Sequence, residues 1–329
     1  MIQDRSEQHG IELHARDLEV AYGNFVALRI PALELRGRVV AIIGHNGSGK
    51  STFIKTALQL LQPRKGDLRM LWHESDGSSE RLVPERHMAF SPENGAVFAD
   101  ISIRSYIELW CRIKHGDPNY YLRGGAEFIE RLRVGPLLSR LGRELSKGQR
   151  RRVQIAVGFI TRPRVFLFDE PFDGLDVQQA SDLAEVMYDA AKEMALFVSS
   201  HRMDVVERLA DRIIVLKHGE VLTAGPLDDV CGDLSEKSVH VTLDDMTRGK
   251  AGDLVQELRK KYSACLAHHI GSQIVVTGRE VSAVALEGWL GGQGIRAVKV
   301  ETVKPTLIDA MNYHLKHYSA SLDRAANDF

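Results

Sequence analysis

Apolar residues recur along this chain in two spacings that alternate from the amino-terminal end onward. Ile11 to Val20 and Val26 to Ile30 read as short strands joined at Tyr22-Gly23-Asn24, a turn with glycine for the awkward dihedral. Val39 to Ile43, Val165 to Phe168 and Leu196 to Ser199 are continuous apolar runs, the pattern of strands buried on both faces. Helical spacing follows each: Thr52 to Leu61, Val177 to about Met194, and Met203 to Leu209. Between these, Met70 to Trp72 and His87 to Ser91 predict strands, SDGSSE a surface loop and Glu93 to Asp100 another loop. Helical periodicity runs from Ser102 to Leu141 with a break at Gly116 to Pro118, then again from Gln149 to Ile160. Arg212 to Leu216 and Glu220 to Thr223 predict a hairpin. Strands alternating with helices imply a mostly parallel sheet covered on both sides.

From Gly225 to Glu236 the pattern weakens into polar and glycine residues, and a smaller series follows. Strands are expected at Val239 to Leu243, Ser272 to Thr277 and Ile295 to Thr302, and helices at Ala251 to Tyr262, Val281 to Leu290 and Thr306 to Leu315. The expected organisation is an α/β domain over residues 1–232, with a helical subdomain at about 100–158, and a compact α+β domain over 233–329.

Composition narrows the function classes. With 329 residues and 44% hydrophobic content the chain has room for two cored domains. A net charge of -1 lacks the basic field of a dedicated nucleic-acid binder, so no nucleic-acid partner is expected. Cys111, Cys231 and Cys265 are odd in number and far apart, which suggests neither a disulfide framework nor a zinc site and fits a reducing cytoplasm. The leading MIQDRSEQHG has no apolar h-region, and no window approaches the roughly 18 apolar residues of a membrane span. Work on a membrane would need another chain to span it.

The chemistry concentrates in Gly44 to Thr52, GHNGSGKST. Its glycines let the backbone turn its N–H groups inward around a polyphosphate, Lys50 adds charge, and the following helix points its positive end at the same place. Ser51 is placed to ligate Mg²⁺. Asp169 and Glu170 end an apolar strand, with Asp169 suited to the metal and Glu170 to polarising a water that attacks the γ-phosphate. His201, at another strand end, is in position to hydrogen-bond that phosphate. The run Arg150, Arg151 and Arg152 is expected to be a solvated or subunit-facing helix turn. The pairs His268 with His269 and His314 with His317 lack a carboxylate at ligand spacing and do not make a metal centre.

In this order the motifs resemble those of the ATP-binding subunit of an ABC transporter, over residues 11 to about 230. GHNGSGKST resembles Walker A, LSKGQ at Leu145 to Gln149 the signature, VFLFDEP at Val165 to Pro171 Walker B, FDGLD at Phe172 to Asp176 the D-loop, and His201 the switch histidine. The resemblance implies a P-loop NTPase cassette of the ABC type, with a mostly parallel sheet, an antiparallel β-subdomain and a helical insertion. It also implies ATP bound by Tyr22, Gly44, His45, Asn46, Gly47, Ser48, Gly49, Lys50, Ser51 and Thr52. Ser146, Lys147, Gly148, Gln149 and Asp176 belong to the same nucleotide set, Ser146 and Gly148 closing on ATP held by a second subunit. Catalysis falls to Glu170, His201 and Glu93, and Mg²⁺ to Ser51, Glu93 and Asp169. Two residues depart from the pattern: Lys147 stands where glycine is commonest, and Glu93 where the family usually has a glutamine.

VKPTLIDAM at Val303 to Met311 resembles, more loosely, the extension on ATPase subunits of drug and antibiotic exporters whose membrane part is a separate polypeptide. The expected protein is therefore a peripheral ATPase on the cytoplasmic face of the cell membrane. It pairs with a second ATP-binding subunit, a homodimer being sufficient, and drives export through separate integral membrane permeases. The alternatives are a soluble ABC-type ATPase acting on ribosomes or DNA and a nucleotide-gated regulatory module. Neither a second phosphate loop nor extended heptads, which would favour the first, is present.

Overall fold

The computed structural model describes residues 10–74, 76–231, 238–244, 248–262, 265–278, 281–295 and 297–312. They fall into two compact units, Met1–Gly225 and Pro226–Phe329. In chain order the first unit contains β1 (Gly10–Tyr22), β2 (Phe25–Gly37), β3 (Val39–Ile43), α1 (Lys50–Ala57), β4 (Lys65–His73), β5 (Ser79–Arg81), α2 (Pro84–His87) and β6 (Met88–Ser91). There follow α3 (Ile103–His115), α4 (Ala126–Arg131), α5 (Lys147–Ile160), β7 (Val165–Asp169), α6 (Val177–Ala190), β8 (Ala195–Ser200), α7 (Met203–Leu209), β9 (Arg212–Lys217) and β10 (Glu220–Pro226).

Two sheets result, a four-stranded one in the order β2-β1-β4-β5 and a six-stranded one in the order β10-β9-β3-β8-β7-β6. The pairs β9 with β3, β3 with β8, β8 with β7 and β7 with β6 are parallel. β1 pairs antiparallel with both β2 and β4. Along β7, Phe166 and Phe168 enter one hydrophobic core while Val165 and Leu167 enter the other. The larger sheet is therefore buried on both faces, as its unbroken apolar strands require. One core holds α3, α5 and α6; the other holds α1 and the inner face of the antiparallel sheet, where Phe53 stacks on Phe197 at 5.6 Å.

β2 runs well past the expected Ile30. Proline removes a ladder donor, and Pro31 is tolerated because β2 is an edge strand. The register steps from Arg16↔Ala32 to Leu18↔Ile30, leaving Pro31 opposite Asp17, which turns out of the ladder at φ 46°. The segment expected to be helical from Ser102 to Leu141 keeps α3, capped by the Ser102 hydroxyl and stopped at Gly116 with φ 70°, and then breaks into α4 and single turns.

The second unit contains α8 (Leu227–Val230), β11 (Ser238–Leu243), α9 (Ala251–Lys261), β12 (Leu266–Ile270), β13 (Gln273–Thr277), α10 (Ala283–Gly292) and β14 (Ala297–Val303), with residues 307–312 helical. Its antiparallel sheet has the order β12-β13-β11-β14. With α9 and α10 as the crossovers, this is the split β-α-β arrangement of ferredoxin-like folds. β12 was not expected, because Ala267-His268-His269 carries little strand propensity.

Candidate nucleotide-binding site

Parallel neighbours deliver their carboxyl ends to one edge of the six-stranded sheet, where ligands of open α/β sheets bind. β3 ends at Ile43 and runs into the glycine loop, β8 ends before His201, β7 ends in Asp169 with Glu170 next, and β6 ends at Ser91, two residues before Glu93. Lining one cleft of about 350 Å³ are Tyr22, Phe25, Ala27, Asn46, Gly47, Gly49, Lys50, Ser51, Thr52, Glu93 and Glu170.

The loop keeps its shape through backbone geometry. Gly49 sits at φ 107°, a conformation that side-chain-bearing residues avoid, and a Cβ on Gly44 would meet the Leu216 carbonyl oxygen at 2.2 Å. α1 starts two residues before the expected Thr52 and has no side-chain cap, so its first N–H groups remain available to an anion. Ser48 Oγ is buried with no hydrogen-bond partner, a second group in the cradle that protein atoms leave unmatched.

Lys50 is buried and donates to the Gly44 carbonyl at 2.8 Å and to that of His45 at 3.3 Å. Its Nζ also lies 3.2 Å from Glu170 Oε1, close enough for charge pairing but off the line of a hydrogen bond. The other oxygen, Glu170 Oε2, meets His201 Nδ1 at 2.9 Å and accepts the His201 backbone N–H at 3.2 Å. Glu170 itself adopts φ 49°, uncommon for a non-glycine residue and costing on the order of 1–2 kcal/mol. Ser199 supports this turn: its hydroxyl accepts the Glu170 N–H at 2.9 Å and donates to Asp169 Oδ1 at 2.6 Å. Asp169 is thus held by β8 as well as by its own strand. Ser199 escaped the sequence reading because, within ALFVSS, a hydroxyl residue in a buried strand carries no motif. Phe25 was also missed; it stands 69% exposed beside Tyr22, itself 48% exposed, whose hydroxyl is 3.4 Å from Thr52 Oγ1.

Ser146, Lys147, Gly148, Gln149 and Asp176 do not line this cleft. Ser146 caps α5, its Oγ accepting from Gln149 N–H at 3.2 Å while Gln149 Oε1 accepts the Ser146 N–H at 3.0 Å. Ser146, Lys147 and Gly148 are exposed. Asp176, also exposed, caps α6 by accepting the Gln179 N–H at 2.8 Å.

The triple arginine does not form a solvated face throughout. Arg151 is 3% exposed, and its guanidinium bridges two backbone carbonyls, those of Asp173 and Glu93. Glycine at 95 permits the contact, since a Cβ there would stand 2.7 Å from Arg151 N, and Gln154 adds a bond from the Ala96 N–H at 3.2 Å. The loop carrying Glu93 and the turn after Glu170 are thereby tied to the helix that begins with LSKGQ. The spacing 151, 155, 159 was the available signal, because Ile155 and Phe159 are core residues at i+4 and i+8. His268 and His269, adjacent on β12, project to opposite faces and cannot share an ion; His314 and His317 lie outside the described residues.

With this geometry in place, likeness to known proteins becomes decisive. The family model described as ABC transporter matches residues 33–173. An uncharacterized ABC transporter ATP-binding protein of Alkalihalophilus pseudofirmus is 30% identical over 190 residues, covering 57% of this chain and 69% of that protein. The chain belongs to the ABC transporter ATP-binding family.

Other members of the family share it to a similar degree. The molybdenum import ATP-binding protein of Pseudomonas fluorescens is 32% identical over 234 residues, 68% of this chain and 62% of its own. The sulfate/thiosulfate import ATP-binding protein of Mesorhizobium japonicum is 28% identical over 228 residues, 67% and 65% of the two chains. The chain thus spans less than two thirds of these two relatives. Among solved structures, an ATP-binding subunit of an ABC transporter aligns with TM-score 0.58 and 29% identity, over 67% of this chain and 91% of that one. The cassette fold is that of the family, and no described helix is long and apolar enough to cross a membrane.

Proposed function

We propose that this chain binds ATP in the cleft, hydrolyses it with Glu170, and couples the cycle to separate membrane permeases as a peripheral subunit at the cytoplasmic face. The observation that carries hydrolysis is the placement of one carboxylate between two partners: Glu170 Oε2 against His201 and Oε1 against Lys50. Phosphates entering the loop draw Lys50 toward themselves, which leaves Oε1 as a proton acceptor for the attacking water. His201 then orients Glu170 from one side and reaches the γ-phosphate from the other. Tyr22 and Phe25 offer the adenine two exposed aromatic faces.

Ser51, Asp169 and Glu93 would hold Mg²⁺, and the fit is good because all three offer oxygen and Asp169 is already fixed by Ser199. When bound, the ion neutralises charge on the transferring phosphoryl group.

Exposure of Ser146, Lys147 and Gly148 supports pairing of two copies head to tail, with Ser146 and Gly148 of each facing the nucleotide of the other. Both composite sites are complete in a homodimer. Export is the finer reading and rests on the VKPTLIDAM likeness, whereas the molybdenum and sulfate/thiosulfate relatives are named as importers. Flux measured in vesicles containing the permease decides between them. The core reading is tested by titrating purified protein with ATP and Mg²⁺: nucleotide binding with steady phosphate release supports it, and absence of adenine-nucleotide binding overturns it.

A further inference from the structure

Far from the cleft, one set of ligating side chains has no part in the chemistry above. Glu12 and His14 stand two residues apart on β1, so both rise from the same face of the antiparallel sheet, opposite the buried Ile11, Leu13 and Ala15. The strand register sets Glu34 of β2 across from His14, and His73 of β4 across from Gly10, on that same face. Glu12 Oε1 is 3.0 Å from His14 Nε2, and Glu12 Oε2 contacts His73 Nε2 directly. One ligand atom from each of Glu12, His14 and Glu34 lies within 4.8 Å of the others.

We propose that Glu12, His14 and Glu34 form a binding site for a divalent transition metal of the zinc class, with His73 holding Glu12 from outside the donor set. One imidazole nitrogen and two carboxylates, with the fourth tetrahedral position left to water, are a three-ligand open set of the kind zinc takes, with metal–ligand bonds of about 2.0–2.2 Å. Such bonds put neighbouring ligand atoms about 3.3 Å apart, so the three atoms, now within 4.8 Å of one another, close on an ion by side-chain rotation. Imidazole nitrogen favours zinc, nickel or copper over magnesium, which separates this set from the all-oxygen residues of the cleft. The side chains of Glu12, His14 and His73 are 18%, 23% and 17% exposed, partly withdrawn from competing water, while Glu34 is open. His73, in contact with Glu12 Oε2, orients that carboxylate as an outer-shell partner. Arg36 faces Glu12 across the strands, and Arg69 faces His14 but pairs with Asp67 at 2.5 Å. Their positive charge opposes a cation here, so the expected affinity is weaker than that of a closed structural zinc site.

The test is calorimetry of the full chain, freed of metal by a chelator and titrated with Zn²⁺ in excess Mg²⁺, which occupies the hard-cation residues. One equivalent of zinc binds to the wild type. His14→Gln lowers that affinity at least about tenfold. The exposed Glu34→Gln lowers it by a smaller factor. Nucleotide affinity, unchanged in every variant, reports that the protein remains folded. Wild-type protein that binds no zinc overturns the site, showing only histidines ion-paired to Glu12. Zinc binding of undiminished affinity in folded His14→Gln overturns it equally.

Discussion

The cassette presents two regions that the proposed function directs at phosphate, and they are finished to different degrees. Around the glycine loop, Lys50, Asp169, Glu170 and Ser199 are buried and partnered within their own chain, so folding alone assembles them. At the start of α5, Ser146, Lys147 and Gly148 stand in solvent, the Ser146 side chain held by its reciprocal cap with Gln149. A helix N-terminus that offers its N–H groups outward is a lid without a box. Under the proposed function, the difference teaches that the first region binds and the second responds. Arg151 joins them, since it sits one turn along α5 and grips the loop of Glu93 and the turn after Glu170.

That contrast breaks most sharply at Glu170. Glu170→Gln should lower single-turnover hydrolysis by about 10²–10⁴-fold while ATP affinity persists, and an unaltered rate would remove the residue from its role. Lys50→Ala deletes charge-assisted bonds worth about 1.5–3 kcal/mol, so titration with a fluorescent ATP analogue should show affinity falling about ten- to a hundredfold. Equal affinity would show that the backbone cradle suffices. Arg151→Lys retains the charge but reaches only one carbonyl, and should lower the denaturant-unfolding free energy by about 1–3 kcal/mol. Hydrogen exchange should rise in both segments it links, around Glu93 and Asp173; a rise confined to one would dissolve the bridge between the two regions. Glu93→Gln should act least, because Arg151 holds the backbone of that residue and not its carboxylate. An Mg²⁺ dependence and coupled activity identical to wild type would make the charge incidental.

Much of this was legible before any coordinates. Val39–Ile43 and Met203–Leu209 have the bounds that periodicity predicts, and the phosphate loop lies between strand and helix as its glycines require. What escaped is what one-dimensional patterns omit. Ser199 looks like a polar interruption of an apolar strand until the sheet order sets it beside Asp169. Arg151 carries a charge in a run of charges, and its burial follows from carbonyls supplied by two distant loops. Pro31 argues against a long β2 unless the strand is known to be an edge, and β12 has weak propensity that pairing with β13 overrides. In each case tertiary neighbours decided, and the local residue types pointed elsewhere.

The central claim is that one copy supplies the nucleotide and another supplies the lid. Light-scattering mass of Glu170→Gln in ATP and Mg²⁺, with and without Ser146→Arg, tests it most directly. The predicted result is twice the monomer mass for Glu170→Gln and monomer mass once Ser146→Arg is added, with ATP still bound. A monomer in the first case, or a dimer indifferent to Ser146 in the second, would contradict it.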